Sequence, residues 1–246
     1  MRRAIAVLAA LALPLALATQ ASAAEKEYVT LNTEGIKQAL VKKSWGPPWL
    51  GKVLNPEVIV KDTGVKPEEC FTRDKTIKGF KSSSYGYSFM EFQQSKEGHY
   101  IDFQEHLYQY PDGEQAFDAW TDLVAKAKSC EGSHKHYIRD ANGNVVGETK
   151  VVITVREGPV QYGMTSFIIN EDVQIIEEMP DGAVYQDSAD EISIWSQNGF
   201  AIIETELNKF VPKYKKFTFS DAQISTAITM SLLATQRYHL TALKTV

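Results

Sequence analysis

The chain has 246 residues, 43% hydrophobic and 23% charged, with 15 Gly, 9 Pro and 2 Cys, a balance that excludes disordered, collagenous and disulfide-dense classes. Its 26 basic and 31 acidic side chains leave a formal charge of −5. No broad basic footprint is therefore offered to a nucleic-acid backbone or an anionic membrane surface.

Arg2 and Arg3, an apolar run from Ala4 to Ala18 broken by Pro14, and the small residues Ala21-Ser22-Ala23 have the order of a secretory signal. The run, about 15 residues, is short of the roughly 20 that a membrane-spanning helix needs. Residues 1–23 are therefore expected to be removed as a signal peptide, leaving 24–246 as a single globular domain in an extracellular, secreted protein. No Cys follows the apolar run to accept a lipid.

Thr33 to Lys43 predicts a first helix with Ile36, Ala39 and Leu40 on one side, stopped by Trp45-Gly46-Pro47-Pro48-Trp49. Strands are expected at Tyr85–Phe92 and His99–Tyr110, joined near Glu97-Gly98. In the second, Ile101, Phe103 and Leu107 share one face. Tyr100, Asp102, Gln104, His106, Tyr108 and Tyr110 share the other.

Asp112 caps the best helical pattern in the chain, with Gln115 in the capping-box position and an apolar stripe of Ala116, Phe117, Trp120, Leu123, Val124 and Ala127. Cys130 is in phase with that stripe. Cys70 and Cys130 are the two cysteines, and in an oxidising compartment a disulfide between them is the expected state.

From His134 onward the pattern is a meander. Strands are expected at His136–Asp140 and Val145–Arg156 around Asn142-Gly143, then at Pro159–Asn170, Val173–Met179 and Ala183–Gln186, and finally at Glu191–Gln197 and Phe200–Leu207 around Asn198-Gly199. Ser220 and Gln223 then form a second capping box, opening a final helix through about Tyr238. The fold class is α+β: an antiparallel sheet of about eight strands with two main amphipathic helices packed on one face.

The sequence has no Gly-x-Ser-x-Gly elbow, phosphate-binding Gly-Lys-Ser loop or His-Glu-x-x-His motif. No cofactor and no metal are expected: His134 and His136 read as surface histidines, and Glu177-Glu178 and Asp190-Glu191 as solubilising charges at strand ends. The candidate ligand-binding residues are Tyr100, His106, Tyr108 and Trp195, aromatic or titratable groups on the polar faces of two strands.

Leu31-Asn32-Thr33-Glu34-Gly35-Ile36-Lys37-Gln38-Ala39-Leu40, followed by the Trp45–Trp49 segment, is similar to the opening of actinobacterial exported sensor-domain proteins. Cys70, the strand end Leu107-Tyr108-Gln109-Tyr110-Pro111 and the helix from Ala116-Phe117-Asp118-Ala119-Trp120 to Cys130 resemble the central block of the extracellular domain of PknH-type Ser/Thr kinases. The resemblance implies a sheet with helices around a cleft, a helix-terminal Cys paired with one upstream, and binding of an unidentified extracellular ligand. It departs from the kinase pattern in lacking a kinase domain, a transmembrane helix and a second cysteine pair. The expected function is a secreted, non-catalytic binding module for a small molecule, glycan or protein outside the cell, with no nucleic-acid partner and no membrane span after processing. A cell-envelope hydrolase and a protein-binding or inhibitory module are the alternatives.

Overall fold

The computed structural model describes residues 26–40, 52–53, 57–61, 82–93, 100–159, 166–178, 184–212 and 219–245. Residues 1–23, read above as a signal, and Cys70 lie outside these. In chain order the elements are β1 (Lys26–Tyr28), α1 (Thr33–Ala39), β2 (Lys52–Val53), β3 (Glu57–Lys61), β4 (Ser84–Gln93), β5 (Tyr100–Gln109), α2 (Gly113–Cys130), β6 (Gly132–Arg139), β7 (Val145–Glu157), β8 (Ser166–Glu178), β9 (Val184–Asn198), β10 (Ala201–Pro212), α3 (Asp221–Ala242) and β11 (Leu243–Thr245).

Eight strands follow one another in the order β2-β4-β5-β10-β9-β8-β7-β6, while β3 also pairs with β4, and β1 and β11 form a separate two-stranded ribbon. The pairings in the large sheet are antiparallel, as expected for a fold of the α+β class. The β4–β5 hairpin and the β6-to-β10 meander are joined where β5 lies beside β10, from Tyr100↔Phe210 to Gln109↔Ala201.

Alternation along the strands divides the side chains between two faces. On one, Met90, Ile101, Phe103, Leu107, Ile192, Ile194, Ile203 and Leu207 pack against Ile36 of α1, Leu40 that caps its C-terminus, and Ala227, Met230, Ala234 and Tyr238 of α3. On the other, Tyr108, Tyr110, Val151, Ile153, Phe167, Ile169, Trp195 and Ile202 pack against Ala116, Trp120, Leu123 and Ala127 of α2. The main helices thus take one face each where the sequence reading stacks them on a single face. The reason is visible at adjacent residues of β9: Ile194 and Trp195 are each 1% exposed, and strand neighbours point opposite ways, so each face needs its own cover.

Local chemistry fixes the ends of these elements. The Asp112 side chain accepts from the Gln115 backbone N–H at 2.8 Å, Ser220 and Gln223 form the reciprocal capping box of α3, and Asn32 caps α1. Gly143 and Gly199 take positive φ, 84° and 54°, in the Asn-Gly turns. Gly86 serves close approach instead: a Cβ there would run into Ile36 Cγ2 and lie 3.2 Å from Leu40 Cδ1, so α1 could not rest on β4.

Two expected breaks are continuous strand. β8 runs through Glu171-Asp172 and β9 through Asp187 to Asp190. Carboxylates that look like turn residues in the sequence are held inside the ladder. Asp190 and Glu191 are accordingly mid-strand rather than at a strand end, with Asp190 buried at 5% exposure.

Candidate functional site

Extending out from beneath α2, the same sheet face carries aromatic and acidic side chains in three cross-strand rows. The register sets Phe167, Trp195, Glu204, His106 and Tyr87 in one row. Ile169, Ser193, Glu206, Gln104 and Phe89 form the next, and Ile153, Glu171, Glu191, Asn208 and Asp102 the third. Glu204 and Glu206 are two apart on β10, so both side chains leave the same face, and His106 stands directly opposite Glu204.

Hydrogen bonds tie the rows together. The Tyr85 hydroxyl meets His106 Nδ1 at 2.7 Å. Tyr108 donates to Glu204 Oε2 at 3.3 Å, Tyr87 to Gln104 Oε1 at 3.2 Å, and Gln104 Nε2 to Glu206 Oε1 at 3.1 Å. Asn208 also donates to Glu206 Oε1, and the Ser193 hydroxyl donates to Glu191 Oε1 at 3.2 Å. Rings stack above this network: His106 on Tyr108 at 6.1 Å, Tyr108 on Trp195 at 6.1 Å, and Trp195 on Phe167 at 6.2 Å between centroids.

Lys135–Glu148–Lys150 and, across the opposite face, Arg237–Glu105 form ion pairs away from these rows. Burial, then the neighbouring charge of Glu191, pushes the Glu206 carboxyl up to about 8. Burial, followed by Glu206 and Glu191, holds Glu204 well above the carboxylate range although Tyr108 and Ser193 bond it. Glu171 is raised to about 7 by burial and then Glu191. Burial also lowers His106 to about 4, keeping its imidazole neutral. Near neutral pH these shifts hold Glu204 and Glu206 largely protonated, and a positive charge brought beside them would favour their ionised forms.

The structure brings three of the four sequence-predicted ligand-binding residues together here. His106 is half-buried at the middle of the network. Tyr108 and Trp195, 4% and 1% exposed, form the floor under α2 rather than an open surface. Tyr100 pairs by its backbone with Phe210 at the far end of β5. Glu204, Glu206, Glu191, Glu171, Tyr85 and Tyr87 are additional. Their signal was present in Ile202-Ile203-Glu204-Thr205-Glu206-Leu207, where two acids interrupt a core strand at a spacing of two. His134 and His136 share a side of β6, and the His134 ring contacts the Cys130 carbonyl at 2.7 Å. Cys130 is buried among the α2 cluster.

No family model matches the chain, and no curated protein does. Among solved structures, the crystal structure of the extracellular domain of PknH from Mycobacterium tuberculosis is similar in fold, with a TM-score of 0.48 and 9% sequence identity over 87% of this chain and 100% of that one. No helix among the described residues is long and apolar enough to cross a membrane.

Proposed function

We propose that the chain is an exported, non-catalytic binding module of the sensor-domain type, and that its ligand is held on the aromatic and acidic face formed by β4, β5, β10 and β9. The observation that carries this reading is the combination of half-buried Tyr85, Tyr87 and His106 with the carboxylates of Glu204 and Glu206, which lack a basic partner among the described residues. Carboxylates and ring faces together favour a ligand presenting positive charge to the face. The polar groups bond to one another in a fixed network, an arrangement suited to recognition. Export follows from the reading of residues 1–23 as a signal, and the Cys70–Cys130 bond from the even cysteine count; both belong to this proposal.

The test uses the mature chain, isotopically labelled and free of metal, titrated with spermidine and with glucosamine as cationic probes. Amide shifts concentrated at residues 85–89, 104–108 and 204–206 are expected with at least one probe. A response to neither, or one confined to other surfaces, overturns the reading.

A further inference from the structure

One nitrogen of His106 and one carboxylate oxygen each from Glu204 and Glu206 lie within 4.8 Å of one another, a spread that modest side-chain rotations would draw in around an ion held at about 2.0–2.2 Å from each. The three side chains come from adjacent strands in fixed register, Glu204 opposite His106 and Glu206 two residues on. Hydrogen bonds hold the three side chains in place. Tyr85 occupies His106 Nδ1, Tyr108 meets Glu204 at Oε2, and the bonds to Glu206 from Gln104 and Asn208 both end on Oε1. A partner on the distal nitrogen is the usual way a ligating histidine is oriented.

A second observation lies beside the cluster. Glu171, 5% exposed, stands opposite Glu191 in the neighbouring row, and its Oε2 is buried without a hydrogen-bond partner; the Trp195 Nε1 next to Glu204 is also buried and unpartnered. Buried polar atoms of native proteins are almost always satisfied, and an unsatisfied one calls for an explanation such as a bound ion.

We propose that His106, Glu204 and Glu206 form a binding site for a divalent transition-metal ion. This deepens the reading of the same face as the ligand site, and rests on it: the ion is the positive charge that the face takes. The imidazole-plus-carboxylate donor set is borderline in softness and suits zinc, cobalt or manganese over calcium, which prefers an all-oxygen shell. Three protein ligands leave at least one coordination position, through which a second ligand with an anionic or carbonyl oxygen would bind.

The experiment takes the untagged mature chain, stripped with chelator, and titrates it with zinc by calorimetry and with cobalt by visible absorption. One equivalent of each is expected to bind, cobalt with d–d bands, and zinc is expected to raise the melting temperature. His106→Ala and Glu206→Gln, each verified as folded by circular dichroism, should weaken zinc binding at least tenfold and abolish the bands, whereas His134→Ala/His136→Ala should leave both unchanged. Because His106→Ala also removes a packed ring, His106→Gln serves as the less disruptive variant, with the same loss expected. Absence of stoichiometric uptake, or uptake lost in the His134/His136 variant and kept in the His106 and Glu206 variants, overturns the metal site. Spermidine or glucosamine shifts on the face without zinc uptake leave the binding module standing and refute the metal alone; zinc uptake without those shifts keeps the metal site and overturns the face as a site for organic cations; silence from all of these probes refutes both.

Discussion

Replacing Glu171 by Gln tests whether the acidic face is electrostatically uncompensated in the metal-free protein. Glu171 lies between Ile153 and Glu191 in the sheet, and burial together with the Glu191 charge places its pKa at about 7 against the ordinary 4.5. The folded state therefore binds the proton more tightly than the unfolded chain. Stability from this group is fully present below about pH 4.5 and falls as pH rises through 7. With those two values the ionised carboxylate costs about 3 kcal/mol at pH 8 and about 1 kcal/mol at pH 5. Gln has nearly the same shape and cannot ionise, so this pH-dependent cost disappears, while any cost of seating the amide is the same at both pH values. The gain in stability from Glu171→Gln should thus be about 2–3 kcal/mol larger at pH 8 than at pH 5. His106, lowered to about 4, gives an opposite slope between its folded and unfolded pKa values, but it is present in both proteins and cancels in the difference. Urea denaturation of wild type and variant at the two pH values, in chelator, measures it. A variant whose effect is independent of pH, or is more destabilising at pH 8, would falsify the account of Glu171 as a charge without compensation.

The remaining predictions concern packing, covalent structure and processing. Tyr108→Ala should cost about 3–5 kcal/mol, since the ring is buried in the stack between His106 and Trp195, whereas Tyr108→Phe should cost only about 1 kcal/mol for the lost bond to Glu204; equal, near-zero losses in thermal melts would contradict the burial. Gly86→Ala should destabilise by about 1–3 kcal/mol because the new methyl meets Ile36 and Leu40, and a neutral result in urea would show that α1 does not rest there. Cys70→Ser/Cys130→Ser should lose roughly 4 kcal/mol, the value for closing a loop of about 60 residues, and thiol titration of the unreduced protein should find none. Intact-mass analysis of secreted protein should give a chain beginning near Ala24; retention of residues 1–23 would refute the signal reading.

Much of the fold was legible because local rules and tertiary packing agree here. The caps at Asp112 and Ser220 and the turns at Asn142-Gly143 and Asn198-Gly199 act through neighbours within four residues, so the sequence window contains the whole interaction. The continuity of β8 and β9 was not legible. Glu171-Asp172 and Asp187–Asp190 have the composition of turns, and only cross-strand partners far along the chain hold them in a ladder. The same gap hid half of the site. The face of His106 could be assigned from alternation in β5, and Trp195 and Ser193 from alternation in β9. That Glu204 faces His106, however, depends on a pairing between strands 98 positions apart, which no local pattern encodes. Asp190 and Glu191 were misread for the opposite reason, since charge in a sequence suggests solvent and here the strand carries it inside.

The junction of β5 with β10 has a kinetic meaning. The hairpin and the meander can each form from contacts near in sequence, whereas Gln109 meets Ala201 only after a loop of about 90 residues has closed, an entropic barrier that places such pairings among the slow steps of folding. His106 is supplied by one half and Glu204 and Glu206 by the other. The site consequently comes into existence only when the halves dock, and an occupant shared between them binds the docked state alone, shifting the opening equilibrium of that junction by mass action. Amide hydrogen exchange in β5 and β10 would then report occupancy, while the β6–β7 edge, remote from the junction, would keep its own rate.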